Sequence, residues 1–189
     1  MYTHSGQRVT TDDGSPTLDN IALGLGRTVR FQGHGKRLWT NLQHSLVVGD
    51  LCAYPLLGYL HDAAEVVLGD INACFKTAEL REVEERIWRR ILWDRFGIES
   101  LPADAQQAIK LADDRTLAAE GRIVGPPGLA AWCQLQYPHL SVPDEQADER
   151  VRHWLARYQI TDLMMEQGQA MREYKQIVEA AWKAWQSKR

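Results

Sequence analysis

The sequence predicts an all-α fold, a compact helical bundle, and three observations predict it. Apolar residues recur at three–four spacing over long windows, most clearly Leu80, Val83, Ile87, Trp88, Ile91 and Leu92 between 77 and 96. Gly69, Gly97, Pro102 and Gly121 punctuate these windows where helices should stop or start. No stretch alternates apolar and polar residues convincingly enough to read as a strand. At 189 residues the chain reads as a single domain with a real core. It divides into an arm and loop over 1–39, a core over 40–121, and a loop with C-terminal helices over 122–189.

Residues 1–16 are polar and turn-rich and should wrap the body as an extended arm. "TLDNIALGLG" suits one or two helical turns, begun by Thr17 or Asp19 and stopped by Gly24 or Gly26. "RTVRFQGHGKRLW" is broken by glycine and reads as a loop with one extended stretch. Thr40 or Asn41 then caps a helix to about Tyr54, and Pro55 opens another that runs to Gly69. An amphipathic helix covers 77–96, and one opened by Pro102 runs through Ile109, Ala112, Thr116 and Leu117 to Gly121. "GPPGLAAWCQLQYPHLSVP" is a long irregular connection, a candidate lid or partner surface. Two helices, 144–158 and 161–186, close the chain, and the second carries Met164, Met171, Ile177, Val178, Trp182 and Trp185.

Composition narrows the function. Apolar residues make up 44% and charged residues 25%, and the net charge is −3. That balance speaks against a dedicated binder of nucleic acid or of anionic membranes. A small anionic substrate stays compatible with it, because a local Arg or Lys cluster serves a phosphate whatever the total charge. The three cysteines, Cys52, Cys74 and Cys133, form no C-x-x-C and suit a reduced, cytoplasmic protein. No apolar signal core or spanning run is present, so a soluble protein is expected.

Polar residues on apolar helices carry the chemistry, because burying them without partners is costly. His44 in "NLQHSLVVG", His61-Asp62 in "GYLHDAAEVV" and Asp113 in "IKLADDRTLAAE" each fall mid-helix among core-type residues. On neighbouring helices their faces can converge, and two imidazoles with two carboxylates make a divalent site of mixed hardness. His61 and Asp62 diverge by about 100° on an ideal helix, so an ion must sit between them. Glu65 lies one turn beyond His61, placed to hold or protonate a group beside the metal. A lone His in a helix is usually a core or surface residue, and a bare HD pair is commonplace. The ordered set H…HD…D with Glu65, Asp70 and Lys76 is what makes the pattern specific.

This pattern resembles the HD-domain phosphohydrolase superfamily, an all-helical fold around a metal held by H…HD…D. "HDAAEVVLGDINACFK" resembles its 5′-deoxynucleotidase branch, and "RFQGH…QHS…LHDAAE…GDI…K…AD…E" is similar to phage-encoded dATP triphosphohydrolases of that branch. The resemblance spans residues 1–120. It implies one divalent metal (Co, Mn, Zn, Ni or Mg) on His44, His61, Asp62 and Asp113. It further implies Glu65 as catalytic acid, Asp70 near the sugar in favour of deoxyribose, Lys76 and Arg30 on phosphate, and Phe31 against sugar or base. The implied activity is hydrolysis of a 2′-deoxynucleotide at the α-phosphate, with dATP giving deoxynucleoside and triphosphate. Its runner-up is a 5′-deoxynucleotidase acting on monophosphates. Cyclic-nucleotide or alarmone hydrolysis and a non-enzymatic helical regulator are less favoured.

Two departures stand out: "INACFK" replaces the prolines that usually follow the GD, and the interval from His44 to His61 is short. Among other residues, Trp39 is a base-stacking candidate or a packing residue, while Lys76 and Arg30 have structural alternatives at a helix terminus and in an ion pair. His34 and His4 are contact candidates, whereas His139 and His153 read as structural or exposed. Asp114 reads as a solvent-side carboxylate beside Asp113. The aromatic last helix and the Pro-rich loop suit a homo-oligomer or an ordinary core equally well.

Overall fold

The computed structural model describes residues 1–140, 143–158 and 165–188. Among these the α-helices are α1 Leu18–Arg27, α2 Asn41–Leu51, α3 Pro55–Tyr59, α4 Glu65–Leu68, α5 Ala78–Phe96, α6 Ala105–Ile123, α7 Leu129–Gln136, α8 Glu145–Arg157 and α9 Met165–Gln186. Short 3-10 turns occupy Arg30–Gly33, Ala73–Phe75 and Pro138–Leu140. The extended backbone pairs in two isolated bridges, Tyr2 with Arg8 and Val29 with Thr40. The fold is all-α.

The centre of the molecule is α2. Residues 41–49 are buried without a break, and α1, α3, α6, α8 and α9 all pack on it. On a helix enclosed on every side an unpaired polar group is costly, and α2 leaves only Asn41 Oδ1 and Ser45 Oγ without a partner among its buried side-chain atoms. Thr40 and Gln43 form a reciprocal capping box at its start, and Gln43 Nε2 also reaches the carbonyls of Trp154 and Tyr158, each at 3.4 Å. Asn41 and His44 turn their polar atoms toward the site described below.

Two glycines set the approach of α3 to α2. A Cβ on Gly49 would lie 1.9 Å from the Tyr59 ring, and one on Gly58 would lie 2.8 Å from Gly49 Cα. This contact carries the chain that follows α3 directly beside His44.

The single helix expected over 55–69 is instead two, broken at the HD pair. After Tyr59 the ladder tightens into turns, Ala63 N–H on the Leu60 carbonyl and Glu65 N–H on the Asp62 carbonyl, each at 3.0 Å. Side chains take up backbone acceptors left at this helix end. The Tyr174 hydroxyl of α9 donates to the Tyr59 carbonyl (2.6 Å), Trp88 Nε1 of α5 to the Leu60 carbonyl (2.8 Å), and His61 Nδ1 to the Gly58 carbonyl (2.8 Å). His61 and Asp62 therefore sit on a pinned turn, not mid-helix.

Other boundaries differ for local reasons. Neither Gly24 nor Gly26 stops α1; they are the small residues under Val66 and Met171, where a Cβ would sit 2.6 Å and 3.4 Å from those side chains. The connection read as irregular contains α7, introduced by Gly128 at φ 90° and fastened by buried Cys133 against α6. The expected helix over 77–96 is α5, capped by Thr77 and ended by Gly97 at φ 62°. The expected arm is also present: Arg90 holds the carbonyls of Thr10 and Thr11, and Arg95 that of Pro16. Met164, the start of the last helix and the side chain of His139 lie outside the described residues. Among the described residues no helix is long and apolar enough to cross a membrane.

Replacement of Tyr174 by Phe leaves the buried Tyr59 carbonyl without its donor and should cost about 1–3 kcal/mol in urea unfolding. A stability equal to the original would show that the turn does not depend on this hydroxyl.

Candidate metal centre

Four side chains meet where the turn abuts α2 and α6. His44 Nε2 lies 3.2 Å from His61 Nε2, 3.3 Å from Asp113 Oδ1 and 3.7 Å from Asp62 Oδ2. His61 Nε2 lies 3.1 Å from Asp62 Oδ1. Ligand atoms of His44, His61 and Asp113 fall within 4.8 Å of one another. The break between α3 and α4 makes this possible, since adjacent residues on a regular helix would point about 100° apart.

Both imidazoles are oriented from behind. His61 Nδ1 is engaged by the Gly58 carbonyl, and His44 Nδ1 faces Glu120 Oε1 at 2.7 Å. With the protons on Nδ1, both Nε2 lone pairs point into the cluster. Two such lone pairs at 3.2 Å repel unless a positive charge lies among them. Asp62 Oδ2 is buried and takes no hydrogen bond. Two imidazole nitrogens and two carboxylates, one of them with this orphaned oxygen, fit a divalent cation of the Mn, Co, Zn or Ni type. Side-chain exposure rises from 1% at His44 through 8% and 14% at His61 and Asp62 to 34% at Asp113, so the mouth opens on the Asp113 side.

Electrostatics around the cluster are lopsided. Burial opposes the Asp62 carboxylate, yet His61, His44 and Arg30 hold it well below the usual range. Burial and Arg30 oppose protonation of His44, but Glu120 and Asp113 carry its pKa up to about 10. The carboxylates thus demand positive charge at Nε2, from a proton or a metal.

Glu65 behaves oppositely. Burial first, then the charges of Asp62 and Asp70, push its carboxyl up to about 9, against the opposing charges of Lys76 and Arg30. Asn41 Nδ2 touches its Oε2 at 2.8 Å and Lys76 Nζ its Oε1 at 3.2 Å. Lys76 also pairs with Glu84 at 2.6 Å. Gly69, at φ 89°, turns the chain out of α4, and Asp70 beyond it acts on the charges of both Glu65 and Arg30.

Arg30 reaches the cluster from the loop after α1. Its Nη2 pairs with Glu120 Oε2 at 3.1 Å, its Nε is buried with no partner, and its guanidinium lies 5.6 Å from the centre of the Phe31 ring. Phe31 and Gln32 hold φ 57° and 53°, left-handed values that cost a non-glycine residue about 1–3 kcal/mol.

The structure brings together His44, His61, Asp62, Asp113, Glu65 and Lys76, with Arg30, Phe31 and Asp70 alongside. Trp39 is placed differently from a base-stacking surface: its ring is fully buried in the core and its Nε1 donates to Glu120. Asp114 is not solvent-side but buried and paired with Lys110. His4, His34 and His153 are exposed and outside the cluster. Sequence reasoning missed Glu120 and Asn41. Glu120 stands seven residues after Asp113 and Asn41 three before His44, each on its ligand's helix face, and that register is the signal.

Comparison with known proteins adds relatives without an assigned role. No family model matches the chain. It is 34% identical over 127 residues to an uncharacterized protein of Rhodobacter capsulatus, covering 58% of this chain and 64% of that one. It is 28% identical over 123 residues to the uncharacterized protein YfdR of Escherichia coli K12, covering 63% of this chain and 67% of the relative. The matched part therefore spans just under two thirds of the Rhodobacter protein.

Adding Mn²⁺ or Zn²⁺ after chelation should raise the thermal midpoint, with a gain of about 2.7 kcal/mol at a hundredfold excess over Kd. In His61→Ala the gain should vanish; an equal gain in the variant would place the cation elsewhere.

Proposed function

We propose that the chain is a metal-dependent phosphohydrolase of the HD type that cleaves 2′-deoxynucleotides at the α-phosphate. The lead reaction is conversion of a dNTP, with dATP the expected base, to deoxynucleoside and triphosphate. The observation that carries the reading is the convergence of two imidazole Nε2 atoms and two carboxylates beside the buried carboxyl of Glu65.

His44, His61, Asp62 and Asp113 would hold the cation. When bound, a divalent cation lowers the pKa of water and polarises a phosphoryl oxygen. The remaining work falls to the chain. Arg30 keeps an unpartnered Nε and neutralises phosphate oxygens, and Lys76 does the same from the opposite carboxylate shell. Burial holds the proton on Glu65, which delivers it to the departing 5′ oxygen as water forms the new P–O bond. The water's proton restores Glu65. In this reading Asp70, set beyond Gly69, would face the sugar and disfavour a 2′-hydroxyl.

A second reading, 5′-deoxynucleotidase activity on monophosphates, is favoured by one observation. The two cations beside the cluster, Arg30 and Lys76, are each already paired with a carboxylate, Glu120 and Glu84. That supply of charge suits one phosphate better than three.

A panel of dNTPs, dNMPs and ribonucleotides with several divalent metals separates the readings. Triphosphate released from dNTPs supports the first, activity confined to monophosphates selects the second, and background rates with every substrate reject both. Glu65→Gln should lower turnover by about 10²–10⁴-fold while metal affinity is kept. Retained turnover would remove its role as acid.

A further inference from the structure

Glu120 lies on α6 with no exposed surface, two turns past Asp113. Three donors converge on it: Trp39 Nε1 at 2.6 Å and His44 Nδ1 at 2.7 Å on Oε1, and Arg30 Nη2 at 3.1 Å on Oε2. A carboxylate at this depth is costly unless its oxygens are satisfied, and these donors satisfy both. Two of them belong to different halves of the proposed chemistry. His44 presents Nε2 to the cation cluster, and Arg30 keeps a buried, unpartnered Nε. Trp39 comes from the chain between them, so its bond fixes where the carboxylate stands.

We propose that Glu120 is a positioning residue with two simultaneous duties. It holds the His44 ring with its proton on Nδ1, so that Nε2 is the ligating atom, and it holds the Arg30 guanidinium beside the same cluster for the oxygens of a phosphate. The second duty rests on the phosphohydrolase reading; the first needs only a cation site. Glutamine in this place keeps the size but sets an amide N–H₂ against at least one donor, so the three bonds cannot all persist.

The test is Glu120→Gln, titrated with Mn²⁺ alone by calorimetry and then assayed with a dNTP. Mn²⁺ affinity should fall about 10–100-fold. The KM should rise as Arg30 loosens, with the far-UV circular dichroism spectrum unchanged. A merely structural carboxylate would lower the folded fraction and kcat while leaving Mn²⁺ affinity and KM of the folded protein as they were; that result overturns the proposal. Should the variant not fold, nitrogen-15 spectra of the histidines in the zinc-loaded wild type decide. A His44 coordinated through Nε2 with a protonated Nδ1 supports the assignment, and coordination through Nδ1 overturns it. Wild type that binds Mn²⁺ but hydrolyses nothing would remove the phosphohydrolase reading and leave the His44 duty standing. Hydrolysis with unchanged Mn²⁺ affinity in Glu120→Gln would do the reverse. A wild type that takes up neither cation overturns both.

Discussion

Everything near the site follows from the enclosure of α2. A helix surrounded by five others has no solvent to which a polar side chain can turn, so Asn41, Gln43 and His44 each need a partner inside. Gln43 is absorbed by the capping box and the end of α8. Asn41 and His44, three residues apart on one face, reach Glu65 and Glu120. Burial thus organises the chemistry: the groups that would most destabilise the interior are those that hold one another in place.

Asp62 and Glu65 show how closely environment assigns roles. They stand three residues apart on one short turn, yet their proton affinities move in opposite directions. Asp62 faces two imidazoles and a guanidinium. Glu65 faces burial and the charge of Asp62 itself, with an amide and an ammonium as neighbours. One carboxylate is fitted to remain an anion and the other to carry a proton, a division of labour that acid–base chemistry at neutral pH requires.

The helices written in periodic apolar residues were legible in sequence. α5 has its cap at Thr77 and its stop at Gly97 because both signals are local. The meeting of His44 and Asp113 was legible as well, from polar residues on apolar helix faces, whereas His61 and Asp62 were expected there from the HD pattern and not from their helix register. The break at the HD pair was not, because its cause is remote: donors from Trp88 and Tyr174 hold carbonyls that a continuous helix would use itself. α1 crosses two glycines for the same kind of reason, as their smallness serves Val66 and Met171 and not a turn. Trp39 and Glu120 illustrate the limit most plainly. An indole and a carboxylate 81 residues apart in the chain bear no local mark of being partners.

The tie between Tyr174 and the Tyr59 carbonyl spans 115 residues, and that separation bears on when the site exists. Closing so long a loop has an entropic cost that local helices do not bear, and such contacts form late in folding. During synthesis the turn with His61 and Asp62 leaves the ribosome long before the hydroxyl that pins it. Helices α2 to α6 can assemble first, with Trp88 and the Gly58 carbonyl already holding the turn, and the last of its three ties closes when α9 docks. The site is in this sense a receipt for completed folding, and a chain halted before α9 would carry its ligands on a turn that lacks one of its ties.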